Sequence, residues 1–289
     1  MTTNILKRIA NSNRELVRER ATCLSVERLA AMAHEAALAE GRRAETSGQG
    51  GSDKQAPSQG SSKRLGQPFA FRRALSQPGM SFICECKKAS PSKGVIAHSY
   101  DPTAISHAYS EAGASAISVL TEPRWFQGSM NDLKKVSANC DLPTLRKDFI
   151  VDPYQIFEAK ISGASAVLLI CSILTDSELA TFIELAESLG MDALVEAYEP
   201  QDVPRALAAG ARIVGVNNRD LRTFEVDFGR SIALRKLVGP ERLFVSESGV
   251  GTRADVARLE EAGVDAVLIG ETLMRATDPA AMLRELRGR

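Results

Sequence analysis

ISGASAVLLI, residues 161–170, carries a helix end, a glycine and a strand-like apolar run within ten positions. Gly163 stands where a helix C-cap takes left-handed backbone geometry. The same unit returns as EAGASAISVL at 111–120, AAGARIVGV at 208–216 and EAGVDAVLIG at 261–270, with Gly113, Gly210 and Gly263 at the cap. From Met80 onward strand-like runs occupy 81–86, 114–120, 143–147, 165–170, 192–196, 212–217, 243–247 and 265–269, with helical stretches between them. Eight strands alternating with helices predict an α/β fold, a (β/α)8 TIM barrel. An open doubly wound sheet is the structural alternative, but no GxGxxG follows the first strand.

Upstream of the barrel, residues 4–40 show helical periodicity, with Ile5, Leu6, Ile9, Leu16 and Val17 in the first apolar stripe. Residues 1–40 are therefore expected to be an N-terminal helical extension. Composition then changes abruptly: GRRAETSGQGGSDKQAPSQGSSKRLGQ, residues 41–67, has Leu65 as its only large aliphatic residue. Such a tract buries too little apolar surface to offset the entropy of ordering, which predicts a flexible Gly/Ser/Gln-rich linker or insertion over 41–67. PFAFRRAL, 68–75, restarts structure as a short helix, and 68–289 is expected to be the barrel domain.

Composition excludes several classes. The 289 residues are 44% hydrophobic and 25% charged with zero formal net charge, which gives no hint of nucleic acid as a partner. No apolar run approaches a membrane span, and the charged, amphipathic N-terminus is unlike a signal peptide. Five cysteines without framework spacing fit a reducing compartment, so a soluble cytoplasmic protein is expected. Cys84 and Cys86 flank Glu85 on a strand and are expected to pack together under helices. The three histidines, His34, His98 and His107, stand at no ligand spacing to one another or to a cysteine, so no metal site is expected.

Chemistry in such a barrel sits at the C-terminal ends of the strands. LPTLRKDFIVDPYQI, 142–156, shows the pattern: a short strand ends in Lys147-Asp148, and Asp152-Pro153 opens a helix. A lone lysine there ordinarily makes a surface ion pair. The other strand ends change the expectation. Strand one ends in Glu85, Cys86 and Lys87, with Glu85 and Lys87 on the inward face; strand five ends in Glu196; strand six runs into Asn217-Asn218-Arg219-Asp220; strands seven and eight end in Ser246-Glu247-Ser248-Gly249 and Gly270-Glu271. Glu85, Lys87, Lys147 and Glu196 converge as a general acid and base set without histidine. The turns at Ser248-Gly249 and Gly270-Glu271 occupy the usual phosphate position. Asp148, Asp220 and the Glu271 side chain read as rim charges or caps.

CECKKASPSKG, SVLTEPRWFQGS, LRKDFIVDPYQI, LVEAYEP, GVNNRDLRTFEVD, VSESGV and LIGETLM, taken together and in order, resemble the indole-3-glycerol-phosphate synthase family over about residues 69–289. The resemblance implies ring closure of 1-(2-carboxyphenylamino)-1-deoxyribulose 5-phosphate with loss of carbon dioxide and water, without metal or organic cofactor. It implies Lys147 as general acid, Glu196 and Glu85 as acid–base partners, and Lys87 beside the substrate's anionic groups. Asn217 and Ser248 would contact the reacting region, and Ser90, Phe126 and Arg219 the anthranilate side. Gly249, Gly270 and Glu271 would frame the phosphate through backbone groups. The N-terminal segment would help cover the substrate. Tyr198 and Ala89 depart from residues common in the family, histidine and a basic residue. The partner is a small phosphorylated substrate; no nucleic acid or membrane is expected, no fused isomerase is expected within this chain, and the association state is either monomer or weak contact with other tryptophan-pathway enzymes.

Two other readings remain at this stage. A barrel aldolase would use Lys147 as a Schiff base with a ketose phosphate. A non-catalytic phosphate-binding barrel would not require all four charged groups to be present.

Overall fold

The computed structural model describes residues 5–48, 67–220, 223 and 225–289. Among them, eight parallel strands close a barrel: β1 (Ser81–Cys86), β2 (Ala116–Leu120), β3 (Thr144–Lys147), β4 (Ala166–Ile170), β5 (Asp192–Ala197), β6 (Ile213–Asn217), β7 (Leu243–Glu247) and β8 (Ala266–Ile269). Each pairs with the next, and β8 returns to β1 with Ile83 opposite Leu268. The expected strands appear with ends shifted by at most two residues. A two-residue hairpin, Ala89–Ser90 with Gly94–Val95, sits in the loop after β1.

Alternation along each strand makes two cores. Outward residues such as Phe82, Cys84, Cys86, Val167, Val195 and Phe244 pack under the surrounding helices. Cys84 and Cys86 thus lie together away from Glu85, as expected. Inward residues Ile83, Leu145, Leu168, Leu194, Ile213, Val245 and Leu268 fill the barrel. Several inward rows begin apolar and turn polar toward the strand's C-terminus: Ile83 to Glu85, Leu145 to Lys147, Leu194 to Glu196, Ile213 to Asn217 and Val245 to Glu247. That gradient puts the core at one end and the ionisable groups at the other.

The helical layer starts where the sequence supplies caps. Asp101, Asp152 and Asp278 each precede a proline and accept backbone N–H bonds at the heads of α4 (Pro102–Glu111), α6 (Pro153–Ile161) and α12 (Pro279–Leu286). The C-cap glycines Gly113 and Gly163 take φ of 93° and 82°.

Both ends of the barrel are closed by elements from outside it. At the N-terminal end, α3 (Ala70–Leu75) buries Phe71 and Leu75 in the interior core. Its Arg72 N–H donates to Asp192 at 2.8 Å. Burial pushes the Asp192 carboxyl up to about 6 against that bond and the Arg72 charge. At the opposite end, α1 (Ile5–Cys23) inserts Ile9 into the same interior core. Next, α2 (Val26–Gly48) packs along α6, where buried Lys160 pairs with Glu40.

The helix α2 runs through Gly48, beyond the composition change at Gly41 where the linker was expected to begin. Arg42, Arg43, Ala44 and Glu45 are good helix formers, and one interior glycine costs only about 1 kcal/mol. The rest of the expected linker, 49–66, lies outside the described residues. No helix among the described residues is long and apolar enough to cross a membrane.

Candidate active site

The C-terminal mouth of the barrel opens into a cavity of about 530 Å³. All twelve candidate residues line it: Glu85, Lys87, Ser90, Phe126, Lys147, Glu196, Asn217, Arg219, Ser248, Gly249, Gly270 and Glu271. Lys147 is at its centre. Its Nζ is 3.3 Å from Glu196 Oε2 and 3.1 Å from Glu247 Oε2. Asn217 Nδ2 donates to the same Glu196 oxygen at 3.4 Å. Lys87 Nζ donates to Glu85 Oε1 at 2.7 Å, and Ser118 Oγ reaches Glu85 Oε2 at 3.5 Å.

Three carboxylates and two ammoniums share this floor, so the set is one positive charge short of balance. Burial pulls the Lys147 ammonium toward deprotonation, but Glu247, Glu196 and Glu85 outweigh it and hold the group well above an ordinary lysine. Burial, joined by Glu196 and Glu85, pushes Glu247 up to about 8 against the attraction of Lys147. Neither Glu247 oxygen has a well-directed hydrogen-bond donor among the described residues. Lys147, 3.1 Å away, opposes that rise without cancelling it.

Glu247 was absent from the sequence candidates. Its signal was present: Val245 and Glu247 are two apart on β7, so both face inward. The serine and glycine that follow it point instead to a phosphate turn.

Two glycines make room for these carboxylates. A Cβ at Gly215 would lie 2.4 Å from Glu247 Oε1, and one at Gly270 would lie 2.3 Å from Glu85 Oε1. Gly270, expected to frame phosphate, thus also leaves space for the Glu85–Lys87 pair. Nearby, Ser248 has a left-handed φ of 67° and Gly249 one of 94°. Asn218, turned away from the cavity, fixes this bend by donating to Ser248 O and Ser246 Oγ, both at 3.0 Å. Arg219 crosses the mouth to Glu271 Oε2 at 3.0 Å, and Arg275 binds the other Glu271 oxygen at 3.1 Å. Those two guanidiniums offset the carboxylate that would otherwise repel an anion.

One side of the cavity is apolar. Ile5, Leu6 and Ile9 of α1 face Phe126, Phe149, Leu168 and Ile170. The Phe126 and Phe149 rings are 6.1 Å apart. Buried Glu122 shapes the loop carrying Phe126 by accepting the N–H groups of Arg124, Trp125 and Phe126 at 2.7–3.0 Å. Asp148 also borders the cavity, but its carboxylate is engaged by other partners. It accepts from Arg146, Thr121, Asn13 and the Phe149 N–H, and despite burial these hold its carboxyl below the usual range. It is a buried hub, 4% exposed, where a rim charge or a cap was expected, because Arg146, Thr121 and Asn13 converge on it.

Of the two departures, Tyr198 stacks beneath the Arg230 guanidinium at 3.8 Å and borders a side chamber next to Glu196. Ala89 is buried in the hairpin, its N–H donating to Phe126 O at 3.2 Å. Among the described residues no group of three or more His, Cys, Asp or Glu is disposed to hold a metal ion.

The sequence model of indole-3-glycerol phosphate synthase matches residues 38–286. The chain belongs to the indole-3-glycerol phosphate synthase family. The Ruminiclostridium cellulolyticum synthase is 53% identical over 221 residues, covering 76% of this chain and 85% of that protein. The Lachnoclostridium phytofermentans synthase is 51% identical over 219 residues, covering 76% and 81%. Solved structures share the fold at low identity. The 3-hexulose-6-phosphate synthase of Salmonella typhimurium superposes with a TM-score of 0.60 at 16% identity, covering 72% of this chain and 97% of that one. A chain of the Pyrococcus furiosus tryptophan synthase complex gives 0.53 at 15%, covering 72% and 98%. Membership of the synthase family makes this protein a carboxy-lyase of tryptophan biosynthesis that acts on a small phosphorylated substrate.

Proposed function

We propose that Lys147 is the general acid of the ring closure and that Glu196, Glu85 and Glu247 handle the protons of the later steps. In the first step the ring carbon that carries the carboxylate attacks the ribulose carbonyl. The carbonyl π pair moves to oxygen, and Lys147 supplies the proton. Loss of carbon dioxide returns the C–C electron pair to the ring. Departure of the new hydroxyl as water, with loss of one proton, completes the indole. The sum is substrate to indole-3-glycerol phosphate, carbon dioxide and water.

The observation that carries this reading is the position of Lys147 between two buried carboxylates. An ammonium held charged in a desolvated site is a preorganised positive charge that stabilises a developing alkoxide, which then takes its proton. Glu196, hydrogen-bonded by Asn217, is the base and acid partner for dehydration, assisted by Glu85. Lys87 meets an anionic group of the substrate and relays protons with Glu85. Ser248 hydrogen-bonds the reacting region beside Asn217. The apolar half, walled by Phe126 and Phe149, takes the anthranilate ring, with Ser90 and Arg219 at its edge. Burying such a ring is worth about 1.5–3 kcal/mol. The phosphate sits at the turns of Gly249 and Gly270-Glu271, where backbone N–H groups are available.

We place the protein in the cytoplasm, either as a monomer or in weak association with other tryptophan-pathway enzymes. Residues 68–289 form the catalytic barrel and the N-terminal helices its cover. The test is the appearance of indole fluorescence when purified protein meets the carboxyphenylamino substrate. Phosphorylated product with equimolar carbon dioxide is the expected result; consumption of substrate without carbon dioxide release contradicts it.

A further inference from the structure

The N-terminal helix α1 contributes no ionisable group to the cavity, yet it buries polar side chains against the barrel. Asn13 is 3% exposed. Its Nδ2 donates to Asp148 Oδ1 at 2.9 Å and to Phe149 O at 2.8 Å. Both amide hydrogens are therefore spent on the two residues that follow Lys147 on β3. One turn earlier, Ile9 is 1% exposed in the interior core, and Ile5 and Leu6 face the cavity. Ser12 adds a contact to the neighbouring loop, accepting from Arg124 at 2.7 Å. Arg124 precedes Trp125 and Phe126, whose N–H groups are gathered by Glu122.

We infer that Asn13 is a positioning residue for substrate binding: it clasps α1 to Asp148 and the Phe149 carbonyl, so that Ile5, Leu6 and Ile9 roof the apolar half of the active-site cavity. The inference rests on the proposed placement of the substrate's aromatic ring in that half. A helix outside the barrel is held in place by what it docks against. The apolar contacts of Ile9 are not directional, whereas the paired hydrogen bonds of a buried amide fix one register. Asp148 itself keeps Arg146, Thr121 and the Phe149 N–H when Asn13 is removed. Loss of the clasp therefore frees the roof without moving Lys147. A wall that touches the ring equally in ground and transition states alters KM and spares kcat.

Two variants test this, Asn13→Ala and the near-isosteric Asn13→Asp, which keeps side-chain volume but sets a carboxylate against Asp148. Hydrogen exchange of the α1 amides without substrate reads docking, and steady-state turnover reads its consequence. In both variants α1 amides lose protection, and KM rises about tenfold or more with kcat within about threefold. The larger effect belongs to Asn13→Asp, where like charges meet in a buried site. Unchanged α1 protection in both variants overturns the clasp. Lost protection with unchanged KM overturns its role in binding, as does a kcat loss with KM intact. A wild type that forms no indole product contradicts the proposed function instead, because docking is measured without substrate.

Discussion

Gly215→Ala tests whether the placement of Glu247 matters to turnover. The new Cβ would lie 2.4 Å from Glu247 Oε1, 3.1 Å from Leu194 Cδ1 and 3.5 Å from Glu247 Cδ. Ordinary contact begins near 3.4 Å, so the carboxylate must retreat by about 1 Å. Strain is limited because the obstructing atom ends a side chain and is not backbone. The stability loss belongs at the low end for overpacking, about 1 kcal/mol, or about 2–4 °C in Tm. The kinetic effect is larger: a misplacement of about 1 Å in a catalytic constellation costs on the order of 100-fold. Lys147 would lose a partner now 3.1 Å away. Indole fluorescence for turnover and a thermal melt for stability separate the two effects. Shortening the carboxylate in Gly215→Ala with Glu247→Asp should relieve the strain and recover Tm. Wild-type turnover in Gly215→Ala, with Tm lowered as expected, would refute a catalytic place for Glu247.

Other outcomes follow from the same geometry. The Glu247 carboxyl is raised from an ordinary value near 4.5 to about 8 in the folded protein, so the stability it contributes is full below about 4.5 and is lost as pH rises through about 8. Glu247→Gln removes that dependence: urea melts at pH 5 and pH 9 should differ by a few kcal/mol less in the variant than in wild type, and an equal difference would contradict the raised carboxyl. Arg146 is 1% exposed and bonds Asp148, Glu158 and Gln155 O. Arg146→Ala leaves buried Asp148 without its cation and Glu158 with Arg20 alone, and should cost about 3–5 kcal/mol in chemical denaturation; a loss under about 1 kcal/mol would show that the cluster adds little. Borohydride added with substrate should leave Lys147 unmodified by mass spectrometry, whereas a trapped adduct would favour the Schiff-base aldolase.

The sequence made the barrel legible because its strands are short, apolar and punctuated by C-cap glycines such as Gly163. The same alternation revealed Glu85 with Lys87, and set Lys147, Glu196 and Asn217 on inward faces. It equally implied Glu247, but the serine and glycine after it suggested a phosphate turn and masked the carboxylate. Phe149 carries no such signal, since nothing local shows that its ring meets Phe126 from another loop. The family resemblance implies that the N-terminal segment covers the substrate, but the contact that docks α1 is not legible, since Asn13 and Asp148 are 135 positions apart. Composition falls at Gly41, but helix propensity persists beyond it, and α2 runs on to Gly48. Spacer glycines such as Gly215 escape notice for a related reason, since their role is fixed by a side chain on the neighbouring strand.

The measurement that bears most directly on the mechanism is turnover of Lys147→Ala, followed by indole fluorescence beside wild type, with circular dichroism to establish that both are folded. Loss of the proton donor should lower kcat by about 10²–10⁴-fold while the barrel spectrum is unchanged. Activity within tenfold of wild type in a folded Lys147→Ala protein would contradict Lys147 as the acid of the ring closure.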